Sequence, residues 1–369
     1  MRSEFVHETN PLRKGERMRS NRMFFSTLAL TAGALPFLTS AYTEDAPEVA
    51  AVKTSFRYRP VEKWEIVLPE DNWKPIVDKI LIPHQDGGGF DIEVIGEYAM
   101  MVDTNGDAKL DKKIKGQRSF VKLRGKNEQG EDFTYAVRIH KDGGWKYQTS
   151  GVMTGKIEGT TVKVIDQNNN GRYDDYGKDA MIIGAGDAAT LLSSVINVKN
   201  SLYNFEISED GTEVTTSPYA GETATIDVTS KYQVRGKLIA AVLSNRSENH
   251  HFNAARSKKP MLVPAGDYKL SSGFASRSSE SVRIRTGKMR PIALAAREEK
   301  VLEWGGPVVA EFDYAYKGET ITVQPNVAFY GSVSGEEYHT FQPNAKSPKI
   351  VVVDKQTRKE VASGRFGGC

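Results

Sequence analysis

Short runs that alternate apolar and polar residues, cut apart by Gly, Asn and Asp, constrain this chain more than any other feature. Phe90-Asp91-Ile92-Glu93-Val94 and Thr161-Val162-Lys163-Val164 alternate strictly, and residues 135–139 and 281–285 come close. A period of two marks strands with one buried face. Turn signals recur between such runs: Asp86-Gly87-Gly88-Gly89, Asp142-Gly143-Gly144, Asp210-Gly211 and Pro264-Ala265-Gly266-Asp267. Helical periodicity is scarce. The best candidate is 187–198 (DAATLLSSVINV), which would put Ala188, Leu191, Leu192, Val195 and Ile196 on one face. A second, over 71–80, is confined by Pro75. The expectation is a mainly β protein of antiparallel β-sandwich modules with one or two short helices.

A chain of 369 residues exceeds the usual single domain. Residues 1–41 read as a cleaved secretion signal. Arg19 and Arg22 precede a mostly apolar stretch from Met23 to Leu38, and Thr39-Ser40-Ala41 offers the small residues of a cleavage site. Met18 makes a better start for such a leader than Met1. The apolar stretch is short for a membrane span of about 20 residues, so a secreted or periplasmic mature chain that does not span the membrane is expected. Residues 42–54 read as a linker and 55–200 as a β domain. Residues 201–300 and 301–369 read as two further β modules, the last with a tail. Six of the 50 basic and three of the 47 acidic residues fall within 1–41, leaving 44 of each. A neutral remainder gives no reason to expect a nucleic-acid partner. The one cysteine, Cys369, is the last residue and has no intramolecular partner; it reads as a tail without a role, the alternative being an intermolecular disulfide.

Two acidic stretches carry the chemistry. Asp166-Gln167-Asn168-Asn169-Asn170-Gly171-Arg172-Tyr173-Asp174 sets Asp166, Asn168, Asn170 and Asp174 at positions 1, 3, 5 and 9 of an EF-hand-like calcium loop, with Gly at position 6. Arg172, at position 7, would offer its backbone carbonyl, and Tyr173 would anchor the loop in the core. Position 12 is Gly177 rather than Glu, so Asp175 or Asp179 must complete the set. The earlier stretch places Asp103, Asn105, Asp107 and Asp111 at positions 1, 3, 5 and 9, with Lys109 at position 7. There Ala108 replaces the glycine, at a cost in left-handed strain, and Lys112, Lys113 and Lys115 crowd the site. Both stretches also suit plain Asn/Asp/Gly turns. Apolar runs flank the second one (Val164-Ile165, Met181-Ile182-Ile183), which predicts a loop between strands rather than between helices.

No zinc spacing, nucleophile elbow or phosphate loop appears. His250-His251 lies in a polar stretch, 245–257, that reads as a surface loop. Trp64, Trp73, Trp145 and Trp304 suit core packing or a sugar platform.

Three segments carry a resemblance: the 166–179 loop followed by Ala180-Met181-Ile182-Ile183-Gly184, the Val263-Pro264-Ala265-Gly266-Asp267-Tyr268-Lys269-Leu270 turn and strand, and the stretches 310–341 and 350–366. Together they resemble exported proteins of Planctomycetes-type bacteria. These combine EF-hand-like loops on strands with carboxypeptidase-regulatory-like (here 201–300) and immunoglobulin-like (here 301–369) modules. The resemblance implies a fold and export, and no activity. The function expected is an exported, non-enzymatic β-sandwich protein with calcium as its cofactor and a structural or adhesive role at the cell envelope. A carbohydrate- or peptide-binding module and a hydrolase are the alternatives, and no partner is specified.

Overall fold

The structure is a computed structural model that describes residues 50–85, 87–127, 130–257, 259–318, 320–344 and 347–366. The leader, the first part of the expected linker, and Cys369 lie outside the described residues. Apart from a single 3-10 turn, Ala254–Arg256, every regular element among these residues is a strand. Among the strand pairs the only parallel one joins residues 225–227 to 299–301. The mainly β, antiparallel reading is what the chain adopts, and the four alternating runs all fall in strands.

The first sandwich faces a sheet of Lys74–Pro75, Gly144–Thr149, Asp132–Asp142 and Arg118–Lys126 against one of Lys79–Ile80, Phe90–Gly96, Ala99–Val102 and Lys112–Lys115. Alternation fills the space between them. Val121 and Leu123 point inward opposite Val137 and Tyr135, and they meet Ile80, Phe90, Met100 and Val102 from the other sheet. Each such fully buried side chain contributes about 1.5–3 kcal/mol. Trp145 and Tyr147 join this core.

The second sandwich places Arg57–Pro60, Gly151–Ile157, Thr160–Ile165, Ala180–Ile183 and Thr190–Leu191 in one sheet. It faces a sheet of Val52–Ser55, Glu213–Pro218, Ser201–Ile207 and Val195–Val198. Phe56, Met153, Val164, Met181, Leu192, Phe205 and Val214 fill it. Part of the expected linker therefore belongs to the sheet, since Val52–Ser55 pairs with residues 213–216. A third core, running from Val195 to Tyr338 and centred on the fully buried Trp304, lies between an eight-stranded sheet and a three-stranded one.

Three expectations fail in instructive ways. Residues 187–198 form two short strands, Thr190–Leu191 and Val195–Val198, instead of a helix. Beyond the exposed Asp187 the stretch is buried except at the half-buried Ser194 and Asn197, so no one-sided stripe is needed, and β-branched Thr190, Val195, Ile196 and Val198 favour the extended form. Ser193 and Ser194 turn the chain between them, the Ser193 hydroxyl donating to Val195 O at 2.6 Å. Residues 71–80 likewise give only the two-residue strands Lys74–Pro75 and Lys79–Ile80, the first on a sheet edge where Pro75 need donate no hydrogen bond. His250-His251 is not a surface loop. His250–Asn253 is a strand in which His251 is 1% exposed, drawn inward with Phe252 and Ala254.

Candidate metal centre

The 166–179 loop leaves the end of Thr160–Ile165 and returns into Ala180–Ile183, two paired strands of the second sandwich. Its residues divide by parity. Asp166, Asn168 and Asn170 turn toward the loop's own interior. Gln167 and Asn169 turn away and fasten it to its neighbours. Gln167 accepts from Glu70 N at 3.2 Å and donates to Lys178 O at 2.8 Å. Asn169 accepts from Thr149 N at 2.6 Å and donates to Asn72 O at 2.7 Å. Tyr173, at position 8, is buried in the second core, as the sequence predicts.

Asp166 is fully buried. Its Oδ2 accepts from Tyr135 Oη and Gly171 N, each at 2.7 Å, and its Oδ1 from Asn170 N at 3.1 Å. Asp179 is fully buried as well; its Oδ2 accepts from Asp175 N at 3.2 Å, while Oδ1 has no partner. The buried Asn168 Oδ1 also has none. Asn168 and Asn170 both donate their amide nitrogens to Asp175 Oδ2, at 2.8 and 2.6 Å. Asp174, at position 9, turns outward onto the Arg172 guanidinium at 3.1 Å, and Arg172 also reaches Glu209 at 3.0 Å. Asp175 thus stands where the loop order places Asp174.

Burial pushes the Asp166 carboxyl up, against the pull of Tyr135 and the backbone amides. Burial pushes Asp179 up further, and the charge of Asp166 adds to it, against the pull of the Asp175 and Asn168 backbone amides. Among the described residues no cation faces either group: Arg172 is engaged with Asp174 and Glu209, and Lys178 lies 3.7 Å from Asp175. Two buried carboxylates without a counter-charge, and two buried oxygens without donors, form an arrangement that an oxygen-seeking divalent cation would satisfy. The donors are of mixed kind. Among the described residues no group of three or more His, Cys, Asp or Glu side chains is set to hold a metal, so any such ion would need amide oxygens as well.

The 103–111 loop joins Ala99–Val102 to Lys112–Lys115 and is built differently. Asp103 is buried, and its Oδ1 accepts from Asn105 N at 2.9 Å and Gly106 N at 2.8 Å, its Oδ2 from Ala108 N at 3.0 Å. Asn105 and Asp107 accept from the amides two residues on. Asp111 closes the loop onto Thr104 N and Oγ1 at 2.9 and 2.7 Å. Lys109 is exposed, 4.0 Å from Asp107. The expected ligands here are brought together, but each is satisfied by the loop itself. Yet the backbones match: φ is positive at positions 4 and 6 in both loops, at Gly106 and Ala108 here and at Asn169 and Gly171 in the other.

No family model, no curated protein and no solved structure matches the chain. Function must therefore be read from geometry. Ligand spacing did not reveal the anchoring amides Gln167 and Asn169, nor Tyr135; the signal available was an unbroken run of amide side chains, of which a turn needs only one or two.

Two other polar clusters are internal. His251 Nδ1 lies 2.9 Å from Ser244 Oγ, and burial, with Arg246 and His250 beside it, pushes the imidazole down to about 4. His251, whose Nε2 has no partner, and Thr190 line a small, partly open pocket of about 80 Å³. The Trp64 and Trp73 rings lie 4.1 and 5.2 Å from the Arg138 guanidinium, so these faces are occupied by a cation of the chain itself.

Proposed function

We propose that this is a non-catalytic, exported β-sandwich protein in which a calcium ion bound by the 166–179 loop consolidates the fold for a structural or adhesive role. The observation that carries the reading is Asp179 Oδ1, fully buried without a partner beside the buried Asp166. Asp166, Asp179 and the amide oxygen of Asn168 would hold the ion, with Asn170, Asp175 and the Arg172 carbonyl within the same loop. The ion would supply the missing charge. Amide and carbonyl donors in place of carboxylates suit the affinity range of extracellular modules, about 10⁻⁴–10⁻³ M, which accords with export and with the resemblance noted above.

Thermal melting of the folded chain in calcium and in chelator tests this. At roughly 100 times the dissociation constant, stabilisation of about 2.7 kcal/mol is expected. Asp179→Asn should abolish that gain. In chelator the same variant should melt no lower than the parent, because it removes an uncompensated buried acid. A parent whose melting is the same in calcium and in chelator sinks the metal site. A variant weakened equally in both conditions assigns Asp179 an ordinary hydrogen-bonding role.

A further inference from the structure

A second feature stands apart from the calcium reading and does not depend on it. Between 109 and 126 the chain carries eight basic residues against one acid, Asp111. Among the described residues only Lys109 of these is in an ion pair, the 4.0 Å contact with Asp107. The stretch holds two edge strands of the first sandwich, Lys112–Lys115 and Arg118–Lys126, which follow each other in the chain and belong to different sheets. Along their seam runs an open groove of about 530 Å³. Lys112, Lys122 and Arg124 line it together with the Phe120 ring, over which the Lys122 ammonium sits at 5.9 Å. Thr104 and Ser119 add hydroxyls, and Glu62 the single carboxylate.

Lysines also guard free strand edges against pairing with other chains. That duty needs a charge or two per edge. It accounts neither for the groove nor for an aromatic ring within it. We propose that this seam binds an acidic polysaccharide, a chain of carboxylated or sulfated sugars. Lys112, Lys122 and Arg124 would take the acid groups through charge-assisted hydrogen bonds. Glu62, Thr104 and Ser119 would exchange hydrogen bonds with sugar hydroxyls. Glu62 repels every polyanion alike, but as a hydrogen-bond acceptor it favours a partner rich in hydroxyls, of which a sugar chain offers more per unit than a nucleic-acid strand. One aromatic ring is also too few for the stacked platform of a single-stranded nucleic acid.

Titration calorimetry of the full chain with hexameric oligogalacturonate and with a heparin hexasaccharide, in chelator and at low salt, tests the proposal. Chelator removes any bridging by a metal ion, so failure here and failure of the calcium reading are told apart. Expected are binding to at least one acidic sugar, weakening with added salt, and no binding of a neutral cello-oligosaccharide. The Lys122→Ala/Arg124→Ala double variant should lose roughly tenfold or more in affinity, the loss of one charge-assisted hydrogen bond or more. Both residues are exposed, so folding should be unaffected. Lys156→Ala/Lys237→Ala, which removes two exposed charges elsewhere, should bind like the parent. No binding of either acidic sugar, equal loss in the two double variants, or tighter binding of a single-stranded oligonucleotide would each overturn the proposal.

Discussion

At the scale of single residues, the two acidic loops are one backbone written in two ways. Both need positive φ at positions 4 and 6. The later loop spends its glycine at position 6 and an asparagine, the residue most tolerant of that region, at position 4. The earlier loop spends its glycine at position 4 and leaves Ala108 at position 6 with φ of 62°. An alanine held there costs about 1–2 kcal/mol. Ala108→Gly should therefore raise stability by about 1 kcal/mol, less the entropy glycine returns to the unfolded chain. Gly171→Ala should lower it by a similar amount. The added methyl would meet Pro83 Cδ at 3.5 Å, an ordinary contact, so the cost is conformational alone. Urea denaturation measures both, and opposite signs for the two variants are the expected outcome. A destabilising Ala108→Gly would show that the methyl group makes contacts worth more than the strain.

The loop as an element sets the pH response. Asp166 and Asp179 both have folded-state pKa values above the ordinary 3.8. A carboxyl raised by folding adds stability that is fully present below its unfolded pKa and is lost as pH rises through its folded one. In chelator, the contribution of this pair should fall as pH climbs from about 4 toward neutrality and beyond. Calcium must displace the proton, so its binding tightens over the same window. The gain in melting temperature from calcium should grow with pH, and Asp179→Asn should flatten that growth. A calcium gain that shrinks as pH rises would contradict the buried pair. Part of this element was legible beforehand: the flanking strands and the buried Tyr173 follow from alternation and spacing. The rest was not, because carboxylates one residue apart, such as Asp174 and Asp175, cannot be told inward from outward by spacing, and here Arg172 draws the first of them out. Residues 187–198 and 250–253 were misread for a related cause. Complete burial erases periodicity, and two histidines can look polar while sitting inside a core.

For the whole molecule, local polarity was a poor guide to where its parts divide. The expected boundary at 200/201 falls at the tip of a hairpin: Lys199 and Asn200, both with positive φ, join Val195–Val198 to Ser201–Ile207 in a two-residue turn. The boundary at 300/301 falls within the strand Glu299–Val301. A two-residue polar turn and a linker look alike in sequence; only the pairing partner distinguishes them. Further ties bridge distant segments, with Arg283 donating to Leu68 O at 3.0 Å and Ser272 Oγ to Pro69 O at 2.8 Å. Truncation makes the consequence measurable. A fragment of residues 50–200 lacks Phe205, Ile207 and Val214, three buried members of the second core, and also the strand with which Val52–Ser55 pairs. At about 1.5–3 kcal/mol each, the three side chains alone amount to roughly 5–9 kcal/mol, comparable to the 5–15 kcal/mol that stabilises a typical domain. In residues 50–200 the first sandwich is complete, its strands all falling within 74–149, but the second sandwich should show no cooperative unfolding in urea, followed by hydrogen exchange at its own strands. Extending the fragment to 219 restores both strands and all three side chains, and a cooperative transition should return. It should come at a lower midpoint than in the full chain, because Val195 and Leu202 remain uncovered without the third core. A second sandwich as cooperative in 50–200 as in 50–219 would mean that the division at 200 is a true domain boundary and that this sandwich closes without its partner strands.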